Sequence, residues 1–510
     1  MLLRIAGIMI GLMLLTLASV SGLAEPSTLK CIIQVSKSGN ATVTFVFSSD
    51  VEGVFYTYLP RFEEWNYTVW SGVLTKKSVV NSSAYFYYNV SFEYSLGSSR
   101  EFGLNITYRF PYASLYTAER GWFMTPLLSA PPGTRISVTA FIEGLGRIMD
   151  VSLNGNPVSY ALDDGVLRVS IPPLSTAEGL RVTVDYKPAE PPDEIEVERE
   201  VNGVLIRVRA ADHYKGLAHR IVGITGEFLP RLKETFGFSL NIVEYRFFLP
   251  TRMDLSALGY VMGEDINAGG EGPIYLNLAL VRFREGYMET TIIHELIHKA
   301  LGALGLPANT ELRWVHEGIA QYASVKIAEL QGVDVSDLKS SLEDSATAFR
   351  TGLLKPGFVG RWNPSGNEAV YYSASYYIIS TLAEERGGLS FLKKFANVIR
   401  NKGGIKTNQE LVEALSSAAG EDLVPIFRDW GFEVSSSKVE IPVTSYRLVV
   451  AIATVVIVAA VIFSLAVIMR RSSKARCPYC YAEVTKDMSY CPYCGYLLKP
   501  REVGGQVLSD

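Results

Sequence analysis

The stretch "TIIHELIHKALG", Thr291–Gly302, places two of the chain's five histidines four residues apart in an otherwise apolar segment. Because an α-helix turns about 100° per residue, His294 and His298 would project from one face, one turn apart. Two neutral imidazoles in that arrangement can share a metal ion. Glu295 follows the first histidine and would lie beside the metal, where it can take a proton from water instead of binding the ion. We therefore predict a metal-dependent hydrolytic site on this helix.

A third protein ligand is needed if one coordination position is to stay open for water. The segment "ELRWVHEGIAQY" supplies Glu317 on the next predicted helix, after the break "GALGLPAN". Eighteen residues separate it from His298, enough for a turn and an antiparallel return. We predict a catalytic zinc held by His294, His298 and Glu317, the alternative being that Glu317 is an ordinary helix charge. The other histidines are expected at the surface or behind the ligands: His213, His219 and His316.

The pattern His-Glu-x-x-His, followed after eighteen residues by Glu and Gly, resembles the gluzincin metallopeptidases, with the spacing of the aminopeptidase N-like family. "WVHEGIAQY" is similar to that family's Trp-Leu-Asn-Glu-Gly-Phe-Ala segment, with His316 in place of Asn. The resemblance continues into "VYYSASYYIISTLAEERGG" and "EDLVPIFRDWGF" and covers about Val204 to Phe432. It implies an α+β, mostly helical, thermolysin-like domain that hydrolyses peptide bonds.

The same resemblance implies two further roles. In the family a downstream tyrosine donates a hydrogen bond to the tetrahedral intermediate, and Tyr372 fits that position best, with Tyr371 as the second candidate. The family also carries Gly-x-Met-Glu-Asn, whose Glu holds the substrate's free amine. Here "INAGGEGPIYLNLALV" keeps Gly270 and Glu271 as candidate substrate-binding residues but lacks the Met and Asn. Either Glu271 binds an α-amine, or this is the edge strand that lines an endopeptidase cleft, so both aminopeptidase and endopeptidase activity remain open.

The tail reads "CPYCYAEVTKDMSYCPYCGY" and contains two Cys-x-x-Cys pairs with ten residues between them. This spacing favours a tetrahedral zinc site and resembles a zinc ribbon. The predicted structural zinc ligands are Cys477, Cys480, Cys491 and Cys494. Because all four positions would be filled, we expect a structural role or the docking of a cytosolic protein partner instead of catalysis. The only other cysteine, Cys31, has no intramolecular partner for a disulfide.

Two apolar segments predict where in the cell the protein is located. Residues 1–24 read as a signal peptide cleaved after Ala24, the alternative being an uncleaved N-terminal anchor. The segment Leu448–Met469 has 22 residues without a charge, which predicts a transmembrane helix, with a buried core helix as the alternative. The basic residues that follow it predict a cytoplasmic tail. We therefore expect a single-pass protein of the cell membrane, with the peptidase domain outside the cytoplasm and the ribbon inside.

The remaining segments complete the predicted fold class, which is multidomain. Residues 25–187 are rich in short runs of Val, Thr, Tyr and Phe, which predict an all-β, sandwich-like extracytoplasmic region. The proline- and acid-rich residues 188–200 predict a linker. The α+β peptidase domain would then span residues 201–435. A juxtamembrane linker (436–447), the transmembrane helix and a tail (470–510, with the zinc ribbon at 477–494) would follow.

Composition narrows the function. The chain has 510 residues and a formal net charge of −4 with the charges mixed along it, so no nucleic-acid partner is expected. The predicted function is a membrane-anchored zinc metallopeptidase that acts on peptides or proteins, with one catalytic and one structural zinc. The alternative is a membrane receptor or adhesion protein whose peptidase-like domain is not catalytic and whose ribbon docks a partner.

Overall fold

A computed structural model of the chain describes residues 27–173, 177–237, 240–251, 257–435, 474–485, 490–492, 494–495 and 498. The predicted signal peptide, the predicted linker at 436–447 and the segment 448–469 lie outside these ranges.

The first half of the chain is β-structure, as predicted. Its strands are β1 (Thr28–Val35), β2 (Ala41–Ser49), β3 (Gly53–Pro60), β4 (Trp65–Ser71), β5 (Val73–Asn81), β6 (Tyr87–Ser95), β7 (Phe102–Phe110), β8 (Ser114–Tyr116), β9 (Gly121–Met124), β10 (Leu128–Ala130), β11 (Arg135–Ile142), β12 (Leu145–Leu153), β13 (Asn156–Pro157), β14 (Ala161–Asp163), β15 (Val166–Ile171), β16 (Ala177–Leu180) and β17 (Val182–Pro188). In β1 and β2 every second side chain is buried, which is the period of a strand with one face on a core.

These strands form a seven-stranded sheet in the order β14-β15-β11-β1-β2-β7-β4, a five-stranded sheet β13-β12-β17-β9-β8, a three-stranded sheet β3-β6-β5 and the pair β10-β16. One core cluster joins inward-facing residues of the three larger sheets, among them Phe45, Phe92 and Val184. The arrangement is sandwich-like, because the core lies between the seven-stranded sheet and the smaller sheets.

The second half combines one mixed sheet with helices. Its strands are β18 (Glu194–Val201), β19 (Val204–Ala211), β20 (Ile242–Phe248), β21 (Gly259–Val261) and β22 (Ile274–Asn277), and they lie in the order β18-β19-β20-β22-β21. The α-helices are α1 (Lys215–Phe236), α2 (Gly263–Asn267), α3 (Tyr287–Ala303), α4 (Arg313–Leu330), α5 (Ser336–Ser345), α6 (Thr347–Arg350), α7 (Glu368–Glu384), α8 (Leu389–Lys402), α9 (Asn408–Ala419) and α10 (Val424–Asp429). Short 3-10 turns cover Asp212–Tyr214, Leu278–Arg282 and Pro356–Gly360.

Helices α3 and α4 form the centre of this half. Nearly every residue of α3 is buried, including polar ones, which explains why its sequence does not separate into an apolar and a polar face. Its first turn is held by Glu289, whose carboxylate accepts from the Gly286 N–H at 3.0 Å and from Arg220 of α1 at 2.8 Å. On α4, a Cβ at Gly318 would lie 2.4 Å from the Ser375 carbonyl oxygen of α7. The absence of a side chain at Gly318 therefore lets α4 and α7 pack closely.

The predicted linker is shorter than expected. Residues 189–193 carry no regular structure, but the second part of the range 188–200 is strand β18, paired along its length with β19. Its acidic residues face solvent and form ion pairs with arginines of β19, including Glu196 with Arg209 at 2.9 Å and Glu198 with Arg207 at 2.6 Å. The alternation of glutamate with Ile and Val was a strand signal that the neighbouring prolines obscured.

Among the helices of the described ranges, none is both long enough and apolar enough to cross a membrane. Helix α1 has 22 residues but carries charged side chains along its length, and α3 and α4 contain the charged and histidine side chains discussed below. This finding contradicts the transmembrane helix of the predicted fold class, the membrane partner and the single-pass location, so none of them is retained. The segment that suggested them, residues 448–469, lies outside the described residues.

The tail forms a small separate unit. Strands β23 (Lys474–Arg476) and β24 (Glu483–Thr485) pair antiparallel, and Cys477, Val484 and Cys491 are buried together beside them. Within the described part of the tail this apolar cluster is small, and a unit of this size usually needs a further stabilising element such as a metal.

Candidate metal centre and active site

Three side chains from α3 and α4 converge on one point. The Nε2 atoms of His294 and His298 are 3.1 Å apart, and each is 3.5 Å from Oε2 of Glu317. A triangle with these sides has a centre about 2.0 Å from each atom, which matches zinc–nitrogen and zinc–oxygen bond lengths. In a tetrahedral zinc site with those bond lengths, neighbouring ligand atoms are roughly 3.3 Å apart, which is close to the three distances measured here. The group could therefore hold a metal ion.

The helices supply this convergence through local geometry. His294 and His298 lie one turn apart on α3, as the four-residue spacing predicts. Helix α4 packs against α3 and brings Glu317 opposite the two rings. Burial is nearly complete, with His298 and Glu317 each only 6% exposed, while His294 is partly open to solvent. One side of the ligand set is therefore accessible.

The charges of this group suit a cation. Burial alone would raise the pKa of Glu317, but the interactions with His298 and His294 hold it well below its ordinary value. Arg313, one turn earlier on α4, adds an ion pair, with its Nε 3.4 Å from Oε1 of Glu317. Glu317 is therefore an anion whose second oxygen is already engaged, which leaves Oε2 for the metal position.

His316 lies behind the ligand His298. Its Nε2 is 2.9 Å from the Leu306 carbonyl oxygen, and its Nδ1 is 3.5 Å from Nδ1 of His298. Burial and, to a smaller extent, the neighbouring His298 lower the pKa of His316 to about 3, which favours the neutral ring. His316 thus lies buried behind a candidate ligand, one of the two positions that the sequence suggested, and is not a surface residue.

Glu295 has the position and environment of a proton acceptor. It is 3% exposed, and its Oε2 is buried without a hydrogen-bond partner among the described residues. The backbone N–H of Val261 donates to the carboxylate. Burial raises the pKa of Glu295, although the nearby imidazoles and the Val261 N–H act in the opposite direction. A raised pKa brings a carboxylate closer to the range in which it can both accept and return a proton.

A cavity of about 120 Å³ joins these groups. Its walls include the three candidate metal ligands, Glu295, Arg313, Tyr372 and the edge strand β21. At Gly259 of that strand, an added Cβ would lie 2.9 Å from a methyl carbon of Thr291 and 3.1 Å from Oε1 of Glu295. The backbone of β21 can therefore approach Glu295 closely only because residue 259 has no side chain.

Tyr372, but not Tyr371, lines this cavity. The hydroxyl of Tyr372 forms a hydrogen bond with Arg313, and burial raises its pKa well above the ordinary value, so the phenol keeps its proton. Tyr371 instead donates to the Asn363 carbonyl oxygen at 2.9 Å. Of the two candidates, only Tyr372 is placed to donate a hydrogen bond into the cavity.

The two predicted substrate-binding residues lie elsewhere. Gly270 and Glu271 do not line the cavity, and Glu271 is exposed. Gly270 has a φ of +79° and abuts the Lys299 carbonyl, where an added Cβ would lie 2.1 Å from the oxygen. Gly270 is therefore explained by a close turn against α3, and Glu271 contributes a charge near the buried Lys299 instead of a group in the cavity.

The four tail cysteines also converge. Their sulfur atoms all lie within 4.8 Å of one another, with Cys477–Cys494 at 3.6 Å and Cys480–Cys491 at 3.5 Å. These distances are close to the roughly 3.8 Å edges of a tetrahedral zinc–thiolate site. Burial raises the pKa of Cys477, but hydrogen bonds from the backbone N–H groups of Cys480 and Tyr479 outweigh it and bring the pKa to about 7. The tail could therefore hold a metal such as zinc.

Replacing Cys491 with alanine should remove one metal ion per chain. The thiol is 1% exposed and supplies one of four converging sulfur atoms, so three ligands and a small cavity would remain. Elemental analysis of the purified chain should show the loss of one zinc equivalent. The matched control is Cys31→Ala, which removes a buried cysteine from the β-core and should leave the zinc content unchanged. Equal zinc content in the Cys491 variant and the wild type would contradict the tail assignment.

No protein-family model matches this chain, and no curated protein matches it in sequence.

The sequence analysis did not predict two parts of the site, Arg313 and the strand Gly259–Val261. Neither belongs to a spacing motif, because both reach the site through tertiary packing. The sequence contained one signal for Arg313. This arginine lies four residues before Glu317, a spacing that can form an ion pair within a helix.

Proposed function

We propose that this chain is a zinc metallopeptidase of the gluzincin type. The observation that carries the proposal is the convergence of His294, His298 and Glu317 around one point, in the same cavity as the buried and partly unsatisfied carboxylate of Glu295. Three ligands with an accessible side are typical of catalytic zinc, whereas structural zinc has four protein ligands.

Each residue then has a chemical role. Zinc bound by the three ligands supplies a Lewis acid that lowers the pKa of a water toward about 7 and polarises a carbonyl group. Glu295 accepts the proton of the attacking water and passes it to the departing amine nitrogen. The Tyr372 hydroxyl donates a hydrogen bond to the carbonyl oxygen as negative charge develops on it. Arg313 holds both Tyr372 and Glu317 in place.

The edge strand β21 supports a peptide as the substrate. Among the described strands it pairs only with β22, so its outer edge offers N–H and C=O groups beside the cavity. An extended peptide can add to such an edge, with its backbone held by hydrogen bonds and its scissile bond near the metal. Whether the peptide is cut at its end or internally is decided by the cleavage mapping described below.

Replacing Tyr372 with phenylalanine should lower kcat about 10²- to 10³-fold, the usual effect of removing one oxyanion donor. The ring contact with Trp362 at 5.5 Å would be kept, so zinc content and stability should change little. Tyr371→Phe is the matched control and should keep wild-type kcat, because its hydroxyl bonds a backbone carbonyl outside the cavity. Steady-state kinetics of the three proteins would decide, and an unchanged kcat for Tyr372→Phe would remove this residue from the mechanism.

The proposal is tested by incubating the zinc-loaded chain with a proteome-derived peptide mixture and mapping new termini by mass spectrometry. Hydrolysis that stops with a chelator and returns with zinc is the expected result, and the positions of the cuts distinguish aminopeptidase from endopeptidase activity. Zinc bound at the three-ligand site without hydrolysis anywhere in the mixture would favour the non-catalytic, ligand-binding alternative.

For the tail we propose a structural zinc bound by the four cysteines. Its solvent-facing aromatic side chains, Tyr479, Tyr481 and Tyr490, are each more than 60% exposed and would suit contact with a protein partner.

A further inference from the structure

A second cavity lies between the β-region and the helical half of the chain. Its volume is about 240 Å³, and it shares no lining residue with the cavity beside Glu295. Part of its wall comes from the ends of β3 and β6 and the loops beside them. Another part is residues 281–283, at the end of the 3-10 turn that precedes α3. The proposed peptidase chemistry uses none of these residues.

Two arginines that line this cavity have only weak partners. Nη1 of Arg181 is 2.7 Å and Nη1 of Arg282 is 3.8 Å from the sulfur of Met124, so the two positive charges are neighbours. A thioether is a weak acceptor. The guanidinium of Arg282 also lies 4.9 Å from the centroid of the Trp122 ring and donates to the Tyr112 carbonyl oxygen. Among the described residues, neither arginine forms an ion pair with a carboxylate.

The positive charge of this pair lacks a matching anion. In the described part of the chain, Nε of Arg282 is buried without a hydrogen-bond partner. Burial and, to a smaller extent, the charge of Arg181 lower the pKa of Arg282 to about 9, so the guanidinium still carries its charge at neutral pH. Of the described residues that line the cavity, Glu63 alone is acidic, and it is paired with neither arginine. A bound carboxylate would supply the anion, because its two oxygens accept the paired N–H donors of a guanidinium.

Much of the remaining lining is apolar and open to solvent. Phe62 is 60% exposed and Phe86 is 37% exposed, and their ring centroids are 6.1 Å apart. Phe110 and Phe283 extend this apolar wall. Large apolar side chains that stay exposed together are typical of a surface that binds an apolar group. An apolar chain needs no hydrogen bonds there, whereas the last N–H of a bound peptide would need an acceptor.

We propose that this cavity binds a fatty acid, with the carboxylate held by Arg181 and Arg282 and the apolar chain packed against Phe62 and Phe86. The ligand would contact both the β-region and the turn that precedes α3. This site is additional to the metal centre and does not depend on peptidase activity.

The test is a calorimetric titration of the full chain with decanoate. We expect saturable binding, which Arg181→Gln and Arg282→Gln should each weaken about 10- to 100-fold, the usual effect of losing a hydrogen bond to a charged group. The matched control is Arg168→Gln, which removes an arginine of the β-region that is paired with Asp163 at 2.8 Å outside the cavity. This control should keep the wild-type affinity. Decanol has the same chain without the charge and should bind at least about 10-fold more weakly than decanoate.

Three results would overturn the proposal: no saturable binding of decanoate, equal affinity for decanoate and decanol, or wild-type affinity in both cavity variants. The last result would also be seen if decanoate bound to zinc at the metal centre, because neither arginine lines that cavity. The comparison with decanol uses the wild-type chain and stays valid if an arginine variant does not fold.

A second titration examines a peptide as the competing source of such a carboxylate. It compares an acetylated peptide that ends in leucine with the amide of the same peptide. Binding of the peptide acid without binding of decanoate would overturn the fatty-acid assignment. Failure of the proposed function would look different, because the zinc-loaded wild type would then hydrolyse no peptide but would still bind decanoate.

Discussion

Replacing Glu295 with glutamine is expected to lower kcat for peptide hydrolysis about 10²- to 10⁴-fold while leaving the zinc content unchanged. Glutamine keeps the shape of the side chain but cannot accept a proton from water. The residue is 3% exposed and is not one of the three converging ligands, so the substitution should leave the metal position intact. The measurement is kcat on a peptide identified by cleavage mapping, together with elemental analysis of zinc.

The control for this experiment is Glu271→Gln. Glu271 is an exposed glutamate outside the cavity, so its substitution should change neither kcat nor KM. A rise of KM confined to peptides with a free amino terminus would instead restore the amine-binding role suggested by the sequence. Full turnover in the Glu295 variant would exclude it as the general base.

Replacing His298 with alanine should weaken zinc binding at the three-ligand site by more than about 100-fold, because losing even an outer hydrogen-bond partner of a ligand already costs about 10- to 100-fold. The loss also leaves His316 and Glu317 without their buried partner. Hydrolysis should disappear at ordinary zinc concentrations. Zinc titration against a chelator measures the first effect, and a peptide assay measures the second.

His219→Ala is the control for histidine removal, since His219 is exposed on α1 and touches none of the ligands. It should bind zinc and hydrolyse peptides as the wild type does. If His298→Ala kept the zinc affinity of the wild type, the ion would have to be bound elsewhere, and the ligand assignment would be contradicted.

The sequence predicted the relative positions of site residues best where those residues are close together along the chain. A four-residue spacing on a helix determines that His294 and His298 share a face, and the neighbouring position places Glu295 beside them. The Cys-x-x-Cys pairs of the tail are equally local. Glu317 needed one long-range assumption, that the next helix returns antiparallel, and the structure places its Oε2 opposite both histidines.

Sequence reading was weaker where tertiary packing decides. The closeness of Gly259 to Glu295, and of Arg313 to Tyr372, depends on how a strand edge and a third helix pack against α3 and α4. The glutamates of β18 looked like a linker because their ion-pair partners lie on another strand. Glu271 was a candidate from a short sequence resemblance, but the structure places this exposed glutamate outside the cavity.

The most direct test of the metal centre is anomalous X-ray diffraction at the zinc edge from crystals of the zinc-loaded chain. We predict a peak about 2.0 to 2.2 Å from the Nε2 atoms of His294 and His298 and from Oε2 of Glu317, in addition to one among the tail cysteines. A zinc-loaded crystal with density only in the tail, or with His294, His298 and Glu317 turned away from a common point, would contradict the account.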